Sequence, residues 1–203
     1  MSRAVLLATT NAGKLREVTA YLAGIPGLAL VSLRDVPPMP EVEEDGATFR
    51  ENAVKKAIEY GRASGHLTLA DDSGLCVDAL GGEPGVRSAR FGGVGLDDPG
   101  RCRYLLARLE GIEPARRTAR FECVLALADA GRLIEVFTGQ VEGRILDAPR
   151  GTNGFGYDPV FFYEPAGRTF AELPAAEKSA VSHRGRALSS LRACLEANPA
   201  LFS

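Results

Sequence analysis

The chain predicts an α/β fold, a mixed twisted sheet flanked by helices. Three observations predict it. A short apolar run at the amino end passes through a polar loop into a segment of helical periodicity, as a parallel crossover would begin. A long capped helix then separates two further apolar runs. In mid-chain, apolar and polar residues alternate on both sides of Asp129-Ala130-Gly131, the pattern of an antiparallel hairpin, which a purely parallel sheet would not contain.

In chain order, Arg3 to Ala8 is too short for a helix and is bounded by polar residues, so it reads as a buried strand. The loop Thr9-Thr-Asn-Ala-Gly-Lys14 follows, and Leu15, Val18 and Leu22 recur at helical spacing, placing a helix over 14–23 before Pro26 and Gly27. Residues 28–33 read as a second strand. Pro37, Pro38 and Pro40 keep the chain extended up to the acidic patch Glu41, Glu43, Glu44 and Asp45. Thr48 with Glu51 is a capping box, and Phe49, Ala53, Ala57 and Tyr60 give the helix behind it one apolar face, ending near Gly61 or Gly65.

Leu67 to Ala70 reads as a third strand delivering Asp71-Asp72-Ser73-Gly74 at its end. The glycine-rich stretch 81–100 reads as a surface connection, either irregular or a lid, before a helix over 100–110. Strands follow around 120–125 and 133–138, then a second glycine-rich loop, 151–156, and the apolar run 160–163. Ser182 is placed to cap a last helix carrying Leu188, Leu191 and Leu195. With no repeat, low-complexity tract or linker, 1–203 reads as a single domain.

Composition narrows the function. The chain has 203 residues, 45% hydrophobic and 25% charged, with a formal net charge of −2. Such a chain buries roughly 70% of its unfolded surface and needs no staples. It lacks the basic footprint of a polynucleotide binder, which leaves a nucleotide monomer open as a partner. No apolar run approaches the roughly 20 residues of a membrane span, and no signal-peptide pattern precedes Thr9, so a cytoplasmic protein is expected. The four cysteines have no paired spacing for a zinc site and read as buried thiols.

Four groups of residues carry chemistry. Thr9, Thr10, Asn11, Ala12, Gly13 and Lys14 gather hydroxyls, an amide and a cation at a helix start, where anions are favoured. A strict phosphate-binding P-loop would need glycine at position 8 and serine or threonine at 15, where this chain has Ala8 and Leu15. Asp71 and Asp72, with a carboxylate of the Glu43-Glu44 patch, suit magnesium or a general base, against the plainer reading of a solvated turn. Lys178, Ser182, His183, Arg184 and Arg186 gather near a predicted helix start, a place favourable for anions or carbonyl oxygens, against the plainer reading of His183 as a surface donor. Phe155 and Tyr157 are placed either to stack on a base or to fill a core.

These segments stand in one order: Thr9 to Lys14, Glu43-Glu44 before Thr48-Phe-Arg-Glu-Asn52, Ala70-Asp-Asp-Ser-Gly-Leu75, Gly154-Phe-Gly-Tyr-Asp-Pro159, and Glu177-Lys-Ser with Ser182-His-Arg184. That order resembles the inosine triphosphate pyrophosphatase, or Ham1, family over Leu6 to about Arg186. The resemblance implies an ITPase-like fold with a nucleotide cleft between two lobes. It implies magnesium-dependent hydrolysis of dITP, ITP and XTP to monophosphate and pyrophosphate, in a homodimer. It also implies that Thr9 through Lys14 hold phosphate, that Glu44 and Asp72 bind Mg2+, and that Asp72 activates water with Asp71 beside it. Ser73, Lys178 and Phe155, Gly156, Tyr157 and Asp158 would contact nucleotide, and His183 and Arg184 the purine edge. Thr10 departs from the glycine of well-known members. A Maf-like pyrophosphatase and a non-hydrolysing nucleotide sensor are the alternatives.

Overall fold

The structure is a computed structural model that describes residues 3–93 and 95–202. Seven strands form one sheet in the order β2-β1-β3-β4-β5-β6-β7: β1 Ala4–Leu7, β2 Ala29–Ser32, β3 Leu67–Val77, β4 Thr118–Asp129, β5 Arg132–Ile145, β6 Phe161–Tyr163 and β7 Arg168–Thr169. Strand β1 pairs in parallel with β2 and with β3, and β6 pairs antiparallel with β5 and β7. Ala130 and Gly131 alone join β4 to β5, a link short enough only for an antiparallel hairpin. The helices are α1 Ala12–Leu22, α2 Phe49–Ser64, α3 Asp98–Arg108, α4 Ala175–Val181 and α5 His183–Ala197. Among the described residues no helix is long and apolar enough to cross a membrane.

The chain divides into two compact units. The described part of the first is 3–72, 123–139 and 184–202. Its core joins Val5 and Leu7 of β1, Val18 and Leu22 of α1, Leu67 and Leu69 of β3, Leu125 and Leu127 of β4, and Leu188, Leu191 and Leu195 of α5. Each fully buried leucine contributes roughly 1.5–3 kcal/mol by leaving water. Helix α2 starts as its sequence predicts. Thr48 Oγ1 accepts from the Glu51 N–H at 3.1 Å, Glu51 closes the capping box, and Gly65 ends the helix in the left-handed region at φ 71°.

The described part of the second unit is 73–93, 95–122 and 140–183. Its core gathers Leu75, Val77, Leu105, Leu109, Val141 and Ile145 around an aromatic group in which Phe121 and Phe161 lie 4.6 Å apart and Phe161 and Phe170 5.0 Å. The glycine-rich stretch holds a 3-10 helix, Gly85–Arg90, and is anchored by buried Ser88. The Ser88 hydroxyl accepts from the Leu75 N–H at 2.9 Å and donates to Gly85 O at 2.7 Å. A Cβ on Gly74 would meet Ser88 Oγ at 2.3 Å, so glycine is required there.

Three expectations are corrected. Helix α1 begins at Ala12, two residues before the sequence placed it, because Asn11 caps it: Asn11 Oδ1 accepts from the Lys14 N–H at 3.0 Å. Strand β3 runs on to Val77, so Asp71-Asp72-Ser73-Gly74 lies inside a strand and is no solvated turn. Of the four cysteines, Cys76, Cys102 and Cys123 are buried while Cys194 is only half-buried.

Candidate active site

In the first unit, the loop after β1 brings Thr9 to Asn11 to the start of α1, and Thr9 Oγ1 accepts from the Asn11 N–H at 3.2 Å. Thr10, Asn11 and Ala12 are exposed where the helix presents its positive end. Thr10 keeps a negative φ. Ala130 is the one non-glycine with positive φ among the described residues, so threonine at position 10 brings no backbone strain. Lys14 turns inward, its Nζ lying 2.6 Å from Asp71 Oδ1.

Asp71 and Asp72 are consecutive on β3, so their side chains leave opposite faces of the strand. They are 3% and 5% exposed. Asp71 sits among cations: besides Lys14, Arg184 Nε donates to its Oδ2 at 2.7 Å, and the Cys123 thiol donates to the same oxygen at 3.5 Å. Burial pushes the Asp71 carboxyl up, but the charges of Arg184 and Lys14 more than offset it and hold the group well below the usual carboxylate range. Asp72 differs. Burial is its largest influence, Lys56 and Lys14 offset it only in part, nearby Glu44 adds to it, and the carboxyl is raised. Its Oδ2 is buried and has no hydrogen-bond partner among the described residues.

Glu44 reaches the same place from the extended segment before α2. Lys56 Nζ lies 2.5 Å from Glu44 Oε1 and 3.8 Å from Asp72 Oδ1, and donates to Asp71 O at 2.7 Å. The two acids are therefore no farther apart than those two spans laid end to end, so they face one region. The loop between Glu44 and α2 is pinned by its backbone: Gly46 N–H donates to Asn52 Oδ1 at 2.8 Å and Ala47 N–H to Glu51 Oε2 at 2.7 Å. Among the described residues no three His, Cys, Asp or Glu side chains form a complete metal cage. Two carboxylates, one with an orphaned buried oxygen, fit magnesium, which takes one or two carboxylates and completes its shell with water and phosphate.

In the second unit, Ser73 is half-buried on β3. The Phe155–Asp158 loop is held from several sides. Asp158 Oδ2 accepts from the Phe155 N–H at 2.9 Å and pairs with Lys178 Nζ at 2.5 Å, and that ammonium lies 4.8 Å from the centre of the Phe155 ring. A Cβ on Gly154, at φ +74°, would come within 2.0 Å of Asp158 Oδ2. Gly156 N–H donates to Asp98 Oδ2 at 2.7 Å. Tyr157 takes the core option: its ring is buried and its hydroxyl donates to Ser88 O at 2.8 Å. Phe155 is half-buried. His183 stacks on Phe121 with ring centres 4.7 Å apart and planes 11° from parallel.

Arg184, 2% exposed, belongs to the first unit and is gripped at both ends, Nε by Asp71 and Nη1 by Glu17 Oε2 at 2.5 Å. Burial acts to lower its pKa, but Asp71 beside it more than reverses this and raises it. Sequence reading missed Lys56 and Glu17. Lys56 had a signal: it lies on the apolar face of α2, seven residues after Phe49 and four before Tyr60, where an unpaired lysine is not tolerated. Glu17 had only its place one helical turn after Lys14.

The Ham1 family model matches residues 5–194. A dITP/XTP pyrophosphatase of Geobacter sulfurreducens is 54% identical over 93% of this chain and 94% of its own, and one of Bacillus licheniformis 48% over 95% and 97%. The solved Ham1 protein of Staphylococcus aureus superposes with a TM-score of 0.86 at 36% identity, covering 97% of this chain and 100% of that one. A dITP/XTP pyrophosphatase structure from Mycobacterium abscessus gives 0.75 at 47% identity, over 93% and 98%. The sheet, the order of motifs and these likenesses agree: the chain belongs to the Ham1 family.

Proposed function

We propose that this protein hydrolyses the deaminated purine triphosphates dITP, ITP and XTP to monophosphate and pyrophosphate, removing them from the nucleotide pool. The observation that carries the reading is Asp72, a buried carboxylate whose second oxygen has no hydrogen-bond partner among the described residues and whose first shares the Lys56 ammonium with Glu44. Such a carboxylate is placed to take a proton from water. The 48–54% identity to dITP/XTP pyrophosphatases supports the substrate class.

Glu44 and Asp72 would hold Mg2+, which when bound would neutralise charge on the phosphate oxygens as the link between the α- and β-phosphates breaks. The remaining work falls to the chain itself. Thr9 to Gly13 offer hydroxyls and backbone amides at the positive end of α1, and Lys14 adds a cation already held in place by Asp71. Asp72 accepts the water proton. Lys56 keeps Glu44 and Asp72 from repelling each other. Ser73, the Phe155–Asp158 loop and Lys178 contact the nucleotide, with the Tyr157 ring committed to the core so that its contribution comes from its backbone. His183 and Arg184 meet the purine edge, Arg184 being oriented by Asp71 and Glu17. Hypoxanthine and xanthine carry a carbonyl at C6, which accepts hydrogen bonds from such donors, whereas the adenine amino group would leave the donors unmatched.

The same reading has the chain acting as one nucleotide-hydrolysing domain over 1–203, as a homodimer, in the cytoplasm and without polynucleotide. Pyrophosphate release from a panel of nucleoside triphosphates, with and without Mg2+, tests it. The expected result is turnover of dITP, ITP and XTP far above that of dATP, only with metal present. Binding without release would identify a sensor, and preference for other, modified bases would favour the Maf-like alternative.

A further inference from the structure

Asn52 closes the Thr48-Phe-Arg-Glu-Asn52 segment, and nothing in the chemistry above uses it. We propose that Asn52 is a positioning residue for this reaction: its amide oxygen fixes the loop bearing Glu44 while its amide nitrogen faces Asp72, so that acids from separate segments act as one site. This rests on the assignment of Glu44 and Asp72 to the reacting end.

The amide's orientation follows from its surroundings. Gly46 N–H, a donor, lies 2.8 Å from Oδ1 of Asn52, and a donor requires an oxygen there, so the NH2 group is turned the other way. Gly46 is two residues from Glu44. A Cβ on it would lie 2.7 Å from Asn52 Oδ1 and 2.7 Å from Glu51 Cβ, so the absence of a side chain lets the loop close on the amide. At the other end, Asn52 Nδ2 and Asp72 Oδ2 are both buried without a hydrogen-bond partner among the described residues, and Asn52 itself is 1% exposed. The Asn52 side chain lies within interacting distance of the Asp72 carboxyl. A buried donor and a buried acceptor, each unmatched and near each other, mark a group set for a partner that arrives with the reaction. On α2, Asn52 stands one turn before Lys56, which already touches both acids.

Two substitutions separate the two ends of the amide. Asn52→Ala removes both, whereas Asn52→Asp has the same shape, keeps the oxygen for Gly46 and removes the donor facing Asp72. Mn2+ binding, read from the paramagnetic resonance of free Mn2+, and kcat and KM for dITP with Mg2+ are measured on both, with Glu44→Gln and Asp72→Asn alongside. For Asn52→Ala, Mn2+ affinity and kcat each fall about 10- to 100-fold, as for other residues that orient metal-binding groups. For Asn52→Asp, Mn2+ binds at least as tightly as to the unaltered protein, yet kcat falls about 10-fold or more with KM within about 3-fold. A merely structural residue would not produce that split, and the isosteric variant answers the question if the alanine variant fails to fold. Unaltered behaviour of Asn52→Asp, with the two acid variants inactive, overturns the inference alone. Full activity of Glu44→Gln and Asp72→Asn removes the site assignment and the inference with it.

Discussion

Asp71 and Asp72 share a strand, a burial and a side-chain chemistry, but the structure surrounds them differently. Asp71 is ringed by Lys14, Arg184 and the Cys123 thiol, which between them contact both of its oxygens. Asp72 has one ammonium at 3.8 Å, a second carboxylate nearby and an oxygen with no hydrogen-bond partner among the described residues. A fully paired buried carboxylate has little left to offer a substrate; it holds other groups in place. An incompletely paired one carries an unmet demand that a metal or a water proton can fill. On the proposed reading, Asp71 organises Lys14 and Arg184, and Asp72 is left to take part in the chemistry.

Substitutions at the two positions should have crossed effects. The largest is on turnover: Asp72→Asn is expected to lower kcat by about 10²- to 10⁴-fold, the range for a general base, with nucleotide affinity within a few-fold. Steady-state kinetics and equilibrium binding of dITP check this. Next is stability: Asp71→Asn leaves Arg184 and Lys14 short of charge and is expected to cost about 3–5 kcal/mol, a fall of roughly 10 °C in melting temperature, whereas metal-free Asp72→Asn melts at or above the unaltered protein. Thermal unfolding in chelator decides it. If Asp72→Asn melted lower than Asp71→Asn, the division of labour would be reversed. Lys14→Ala comes third, raising KM about 10-fold with a smaller change in kcat, as loss of one charged hydrogen bond would.

The smallest effect is on pH dependence, and the two carboxyls differ in sign. The folded pKa of Asp71 lies below its unfolded value, so its contribution is present above about pH 4 and is lost as pH falls through the folded value. The folded pKa of Asp72 lies above its unfolded value, so its contribution is present at low pH and is lost as pH rises through the folded value. Urea unfolding in chelator should show the deficit of Asp71→Asn shrinking on acidification below pH 4, and the margin of Asp72→Asn over the unaltered protein growing as pH rises from 4.

How much of this was legible in the sequence depends on how local each signal is. The Thr48–Glu51 capping box fixed the start of α2 to the residue, since the partners are three positions apart. Asp71-Asp72-Ser73-Gly74 has the composition of a turn, yet it lies inside β3, and the side chains around Asp71 come from far along the chain: Arg184 is 113 residues from Asp71 and 167 from Glu17. No periodicity records such pairings. Helix α4 was missed because its seven residues are too few for a periodic stripe. The order of motifs brought out most of the candidate residues but not the opposed environments of Asp71 and Asp72, nor Lys56 between Glu44 and Asp72.

The most direct test is a carboxyl-carbon NMR titration of the metal-free protein with aspartate labelled at its carboxyl carbon, using Asp71→Asn and Asp72→Asn to assign the two signals. The expected outcome is an Asp72 signal that titrates above the ordinary aspartate value and an Asp71 signal that stays ionised to the acid limit of folding. Two signals titrating together near pH 4, or Asp71 titrating above Asp72, would contradict the account.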